Sequence, residues 1–414
     1  MVRIRVVLYS NPRDYDNGEF AVKLAQRVSR IKPSPTLAIT AKAAALRAEG
    51  KDIIGFGAGE PDFNTPDHIK QAAIDAINDN FTRYTAVDGT LSLRQAVADK
   101  FKRDNQTEYS PQQILVSCGA KHGLYNLTQA FLGPGDEAII PAPYWVSYPD
   151  MVRLADGAPV FVRCDIGQGF KMTPEQLDSA ITEKTRLLFL NSPSNPTGAA
   201  YSREELQALG DVLRRHPGVL IASDDIYEHI QLSDQPFCNI LMACPDLYER
   251  TVVFNGVSKG YAMTGWRIGY AAGPASVIKA MKDIQSQSTS NPTSISQVAA
   301  EAALRGDQSF IDTMNAAFRE RHTVIVDGLN AIPGVKCLPA QAAFYAFAEV
   351  SEVINRLPGI QNDVAFGEYL LNDAGVAVVP GSAFGMQGYM RLSFATSMEL
   401  IKAGLARITK ALSA

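Results

Sequence analysis

The sequence predicts an α/β protein: a mainly parallel seven-stranded sheet with helices on both faces, plus a smaller discontinuous α+β domain. Three observations predict it. Seven short runs rich in Ile, Val, Leu and Phe lie between residues 113 and 272, mostly continuous rather than alternating, as in strands buried on both faces. Helical patterns separate most of them, the alternation that gives a parallel sheet with covering helices. After about residue 310 the pattern changes to helices mixed with short strands.

The chain has 414 residues, which suits two or three domains. Its first ten residues carry Arg3 and Arg5 before an apolar run too short for a signal-peptide core, and Asn11 to Glu19 is polar. Residues 1–20 are therefore expected to be an extension. Residues 21–50 read as helical, with Ala41 to Arg47 alanine-rich and Gly50 as the stop. Gly55 to Asp62 is a glycine loop with no helix directly after it, which does not fit a dinucleotide fingerprint. Asp67 to Asn80 and Thr90 to Asn105 are amphipathic helices, the second with Leu93, Ala96 and Val97 at helical spacing.

The seven strand runs follow: Gln113 to Ser117, Glu137 to Pro141, Pro159 to Arg163, Arg186 to Asn191, Val219 to Ser223, Thr251 to Asn255 and Arg267 to Ala272. Lys121 to Leu132, Pro174 to Thr182 and Ser202 to Arg215 read as intervening helices. Phe310 to Leu329 is a long helix, and Asp363 to Asn372 and Met398 to Ser413 are further ones. Val335 to Leu338, Phe344 to Val350, Gly375 to Val379 and Tyr389 to Ala395 read as strands. The N-terminal helix is expected to pack with this last unit. The division is then 21–64 and 311–414 for the small domain and 65–310 for the large one.

Composition narrows the function. Hydrophobic residues make up 46% and charged ones 20%, and a net charge of -4 gives no reason to expect nucleic acid or a membrane surface. Five cysteines without Cys-x-x-Cys spacing point to a reducing, cytoplasmic location rather than a disulfide framework. Five scattered histidines give no zinc spacing, so no metal is expected.

In open parallel sheets, ligands sit beyond the carboxyl ends of the strands, so the residues after each run carry the chemistry. Lys259 follows the Thr251 run among small residues, with Arg267 eight positions on. Burial pushes a lysine amine towards its neutral, carbonyl-reactive form, and arginine suits a phosphate. Alone, this stretch fits a strand ending in a Lys-Gly turn equally well. Gly119 and Ala120 open a helix after the first run, where free N–H groups and the dipole favour an anion. Trp145 offers a flat face for stacking, although a core position is the commoner role. Asn195 can donate to a phenolate-like oxygen, and its Asn-Pro-Thr-Gly context is also a plain turn signal. Asp224 opposite a pyridine nitrogen would favour the protonated ring, with Tyr227 three residues on, although Asp at such a point is often a helix cap. Arg391, flanked by apolar residues, needs a partner to be buried, and its fork matches a carboxylate. Taken together, these groups match one cofactor, pyridoxal phosphate, group by group.

In Ala58-Gly-Glu-Pro-Asp-Phe63, Pro143-Tyr-Trp-Val-Ser-Tyr148, Asn195-Pro-Thr-Gly198, Ser223-Asp-Asp-Ile-Tyr227, Ser258-Lys259 through Arg267, and Arg391-Leu-Ser-Phe-Ala-Thr396, the chain resembles the class I aminotransferases of pyridoxal-phosphate fold type I, most of all the bacterial-type aspartate aminotransferase subgroup. The resemblance runs from about Lys32 to the C-terminus. It implies a ping-pong transamination with pyridoxal 5'-phosphate, moving an amino group between L-aspartate or L-glutamate and 2-oxoglutarate or oxaloacetate. Lys259 would be the Schiff-base lysine and proton shuttle. Asp224 would pair with the ring nitrogen, Tyr227 and Asn195 with the ring oxygen, and Trp145 would stack. Arg267 with Gly119, Ala120 and Lys121 would bind phosphate, and Arg391, Asn195 and Gly59 the α-carboxylate end. Tyr84 matches a tyrosine that reaches the neighbouring subunit's phosphate, which implies a homodimer with shared sites. Lys121 is associated in the subgroup with acidic substrates. Pro143 and Pro196 match positions often cis. Ser194 and Asp225 depart from the usual Asn and Glu, with no change of chemistry expected. Prephenate as acceptor, a β-lyase, a non-catalytic regulator and a dinucleotide oxidoreductase are the competing readings. The last two lack, respectively, a helix-turn-helix-sized basic segment before Lys32 and a glycine loop in the required context.

Overall fold

The computed structural model describes residues 24–31 and 35–412. The expected extension at 1–20 lies outside the described residues. The strands are β1 (Ile54–Gly55), β2 (Ile114–Ser117), β3 (Glu137–Ala142), β4 (Ala158–Arg163), β5 (Thr185–Asn191), β6 (Leu220–Asp224), β7 (Thr251–Gly256), β8 (Gly269–Ala272), β9 (Lys336–Cys337), β10 (Tyr345–Glu349), β11 (Val376–Ala377), β12 (Val379–Pro380) and β13 (Tyr389–Ser393). Seven of them form one sheet in the order β2-β8-β7-β6-β5-β3-β4. β3 to β7 run parallel, and β8 is antiparallel to both its neighbours, β2 and β7.

The continuous apolar runs divide by parity between the two faces. Ile114, Val116, Leu188, Leu190, Ile221 and Val253 join one core, together with Leu93, Val97 and Phe101 of the helix Leu91–Asn105 and Leu206, Leu209 and Leu213 of the helix Arg203–Arg215. Leu115, Leu187, Phe189, Ala222, Val252 and Phe254 face the other way, onto Leu124 and Leu127 of the helix Ala120–Phe131 and Ile278 and Met281 of the helix Ala275–Ser286. Each such aliphatic side chain contributes roughly 1.5–3 kcal/mol on burial, so both layers are needed. The helices Tyr148–Leu154, Ala275–Ser286 and Ser294–Arg305 were not read from the sequence. The last buries Ala299, Ala300, Ala303 and Leu304, too few large apolar residues to mark a face.

The C-terminal strands form a four-stranded sheet, β12-β13-β10-β9. The expected single strand at 375–379 is two strands in different sheets, because β11 pairs with β1 and β12 with β13. Phe56 links the two sheets: its N–H donates to Ala377 O at 2.8 Å and its carbonyl accepts from Ser393 N at 2.8 Å. A core of Phe56, Phe318, Phe344, Phe366 and Ile401 fills this part of the chain. The helix Pro35–Ala48 lies beside it through Ala43, which clusters with Ile53, Leu371 and Ala377.

A buried charge cluster anchors the segment after β6. Lys100 is fully buried and pairs with Glu228, and Asn105 bridges them, accepting from Lys100 Nζ at 2.7 Å and donating to Glu228 Oε2 at 2.9 Å. Asp225 is held by Ser223 at 2.6 Å and Asn239 at 2.7 Å. These contacts leave Asp224 and Tyr227 facing the other side.

Candidate active site

The carboxyl ends of β5, β6 and β7 and the turn between β2 and the helix Ala120–Phe131 converge on a cavity of about 310 Å³. Gly59, Ala120, Lys121, Trp145, Asn195, Asp224, Tyr227, Lys259, Arg267 and Arg391 all line it. Two expected site residues do not. Gly119 sits behind the wall, and Tyr84 lies outside on the surface, 92% exposed.

Lys259 follows β7 by three residues. Its Nζ donates to Gly59 O at 2.6 Å. Burial pushes the amine down to about 8; Arg267 and Arg391 add to the fall, and Glu60 and Asp224 oppose it. A lysine in this state is partly neutral near physiological pH, as a nucleophile or base must be.

Asp224 ends β6 opposite Asn191 of β5 and Phe254 of β7. Its Oδ2 accepts from the Tyr148 hydroxyl at 2.5 Å, and its Oδ1 from Ile226 N at 3.3 Å. Burial pushes its carboxyl up to about 6, and Tyr148, the Ile226 N–H and Lys259 work against the rise. Such a carboxylate gains most from a cation beside it. Asn191 braces two neighbours: its Nδ2 donates to Asp224 O at 3.0 Å, and its Oδ1 accepts from Asn195 N at 2.9 Å.

Gly119 caps the helix Ala120–Phe131 with φ 83°, a conformation that favours glycine, and no side chain caps the helix. A Cβ at Gly119 would collide with Nη2 of Arg267, and one at Gly269 with the backbone N of Ala120. The two glycines thus bring the guanidinium against a helix N-terminus whose first N–H groups have no intrahelical acceptor. The sequence placed Arg267 on a strand; it precedes β8 in a left-handed turn at φ 56°, which aims it back at Gly119. Its partners are carbonyls, Thr264 O at 2.9 Å and Cys118 O at 3.2 Å, and among the described residues no carboxylate pairs with it. Lys121 Nζ lies 4.9 Å from the Trp145 ring, and burial and then Arg267 lower its pKa.

Arg391, on β13, is only 2% exposed. Nη1 donates to Asn195 Oδ1 at 3.0 Å and Nη2 to Gly57 O at 2.8 Å, while Nε has no partner among the described residues. Burial lowers its pKa. Leaving a guanidinium buried without a carboxylate is costly, so the site is short of one anionic partner.

These features fit pyridoxal phosphate. An anion cradle lies at Gly119, Ala120 and Arg267, a buried carboxylate at Asp224, and a depressed amine at Lys259, around one cavity. Sequence reasoning passed over Tyr148, Asn191 and Tyr345. Tyr148 closes the motif that begins at Pro143 and Asn191 ends a strand run; Tyr345, between Phe344 and Phe347, looks like core. Of the two prolines matched to cis positions, Pro143 follows a cis bond and Pro196 does not; the second cis bond precedes Pro193. Residues 194–198 instead close a turn, with Gly198 N donating to Ser194 O at 2.8 Å.

The profile of the family "Aminotransferase class I and II" matches residues 51–408. An aspartate/prephenate aminotransferase of Nitrosomonas europaea is 62% identical over 397 residues, 95% of this chain and 100% of that protein. The structure of the aspartate aminotransferase from Rhizobium meliloti superposes with a TM-score of 0.92 at 49% identity, covering 95% of this chain and 99% of that one. The aspartate aminotransferase from Thermus thermophilus with maleate gives 0.89 at 43% identity, covering 94% and 100%.

Proposed function

The chain belongs to the class I and II aminotransferase family, and from that premise we propose that it transfers the amino group of aspartate or glutamate to 2-oxoglutarate, oxaloacetate or prephenate. It is a pyridoxal-phosphate-dependent aminotransferase acting on amino acids and 2-oxo acids. Arg391 carries the amino-acid reading: a buried guanidinium with no carboxylate partner among the described residues, in the same cavity as Lys259, suits the α-carboxylate of a substrate.

When bound, pyridoxal phosphate supplies a carbonyl for an amine and a ring that accepts the electrons left at Cα. In our reading Lys259 would tether the group through its carbonyl carbon and, once displaced by the substrate amine, would take the Cα proton as general base and give it as general acid to that former carbonyl carbon. Its depressed pKa makes both steps accessible near neutral pH. Asp224 would hold the proton of the ring nitrogen, with the Tyr148 hydrogen bond favouring the ionised carboxylate. Tyr227 and Asn195 would hold the ring oxygen, Trp145 would stack on the ring, and Arg267 with the N–H groups after Gly119 would bind the phosphate. Arg391, Asn195 and Gly59 hold the α-carboxylate end.

Lys121 is our candidate reader of a distal carboxylate. It lines the cavity, and the Thermus relative is described with maleate, a dicarboxylate. Prephenate stands beside the oxo-dicarboxylates because the Nitrosomonas relative is named for it. We further propose a homodimer with shared sites. Tyr84 is a large side chain 92% exposed, and a second cavity of about 550 Å³ adjoins Lys121 and Arg267 from outside. The proposal includes the division into a small domain (21–64 and 311–414) and a large one (65–310), supported by two apolar clusters that follow it except at Tyr227, Ile230 and Ile311. It also includes a cytoplasmic location, which suits five free thiols. No described helix is long and apolar enough to cross a membrane.

A donor scan of the cofactor-loaded protein tests the reading, with aspartate, glutamate, alanine and phenylalanine against 2-oxoglutarate, oxaloacetate and prephenate. Transfer from aspartate or glutamate is expected. Release of pyruvate and ammonia from cysteine conjugates, without transfer, would replace it with a β-lyase.

A further inference from the structure

Tyr345 opens β10 and is fully buried. It pairs with Ser393 of β13, while Phe347 pairs with Arg391, so Tyr345 and Arg391 are diagonal neighbours on one face of the sheet. The Arg391 guanidinium carbon lies 4.6 Å from the centre of the Tyr345 ring and 5.0 Å from that of Phe384. At the other end of the same side chain, the Tyr345 and Tyr227 hydroxyls are 2.8 Å apart. One residue therefore touches both the group expected to face the cofactor oxygen and the group expected to face the substrate carboxylate.

The geometry points to Tyr345 as a positioning residue with two separable parts: its hydroxyl orients the proton of Tyr227 towards the cofactor, and its ring fixes the plane of Arg391 for the substrate. The inference rests on the roles proposed above for Tyr227 and Arg391.

The direction of the hydroxyl pair follows from proton counting. Each phenol has one hydrogen to donate. If Tyr227 gave its hydrogen to Tyr345, it would present only lone pairs to an electron-rich ring oxygen. If Tyr345 donates to Tyr227, the Tyr227 hydrogen is left for that oxygen. Burial keeps both phenols protonated. A donor on the ring oxygen stabilises negative charge there and weakens its hold on a neighbouring proton. On the other side, Nη1 and Nη2 of Arg391 are tied to Asn195 and Gly57, and the aromatic faces of Tyr345 and Phe384 flank the guanidinium.

Two variants separate the parts. Tyr345→Phe keeps the ring and removes the hydroxyl. We expect the pH midpoint of the near-visible cofactor band to rise by about one unit and kcat to fall about tenfold, with KM for the amino acid within about twofold of the parent. Tyr345→Leu removes both parts, and KM should then rise by about tenfold or more. The hydroxyl acts through Tyr227, so the double variant Tyr227→Phe/Tyr345→Phe should match Tyr227→Phe alone. A parental midpoint in Tyr345→Phe, or additive losses in the double variant, overturns the inference. A parent protein that shows no cofactor band and no transfer fails the proposed function instead.

Discussion

The Tyr148 hydroxyl donates to Asp224 Oδ2 across 2.5 Å, with neither residue more than 3% exposed. Burial already raises the Asp224 carboxyl to about 6, and this hydrogen bond restrains it. In Tyr148→Phe the carboxyl should climb by a further one to two units, roughly the worth of one charged hydrogen bond. The acidic limb of cofactor affinity should shift up by the same amount, which absorbance titration across pH 5–9 would measure. An unmoved limb would show that Tyr148 does not govern the charge on Asp224.

Lys259→Ala should lose the near-visible cofactor band and all multiple turnover. Sustained turnover in that variant would remove the lysine from the mechanism.

Lys259→Met reports on stability. An amine whose pKa falls on folding binds its proton more tightly in the unfolded chain, so stability rises with pH between about 8 and the ordinary lysine value. The depression corresponds to about 3 kcal/mol lost below pH 8. Cofactor-free Lys259→Met should therefore resist urea better than the parent at pH 7, with the gain fading towards pH 10.5. Equal urea midpoints at pH 7 would mean that the buried charge is compensated elsewhere.

Gly119→Ala combines backbone strain at φ 83° with a methyl group driven into Arg267. The strain alone costs about 1–3 kcal/mol. Cofactor affinity should drop by about tenfold or more, and inorganic phosphate should lose its ability to compete in a binding titration. Retained phosphate competition would place the anion elsewhere.

Lys121→Ala should raise KM for aspartate roughly tenfold, the loss of one charge-assisted contact, and far less for alanine or phenylalanine. An equal change for all three donors in steady-state kinetics would exclude Lys121 as the reader of the distal carboxylate.

The legible part of this protein was the part governed by periodicity and by strand ends. The run Leu187 to Leu190 announces a strand buried on both faces, and it is one. Seven expected site residues, Ala120, Lys121, Trp145, Asn195, Asp224, Tyr227 and Lys259, reach one cavity because the strand ends of the large sheet converge, and Gly59, Arg267 and Arg391 join them from other segments. What escaped was set by pairing rather than by local pattern. The two-residue strand β1 exists only through β11, and the break between β11 and β12 only through their different partners. Tyr148 and Tyr345 look apolar in sequence, and only the fold shows which phenol finds which polar atom. Arg267 was read on a strand, because nothing in Trp-Arg-Ile-Gly signals the left-handed turn that Gly269 makes room for.

The glycine loop after β1 receives two cations of the cavity: Gly57 O takes Arg391 at 2.8 Å, and Gly59 O takes Lys259 at 2.6 Å. Neither bond is permanent if the enzyme turns over. Once Lys259 is engaged by another group, Gly59 loses its donor, and a carboxylate on Arg391 competes with Gly57. The loop is continuous with Phe56, whose backbone joins two sheets. Amide exchange at residues 57–60 would then act as an occupancy gauge, quickening when the lysine leaves and slowing when it returns, and so register each half-reaction from outside the cavity.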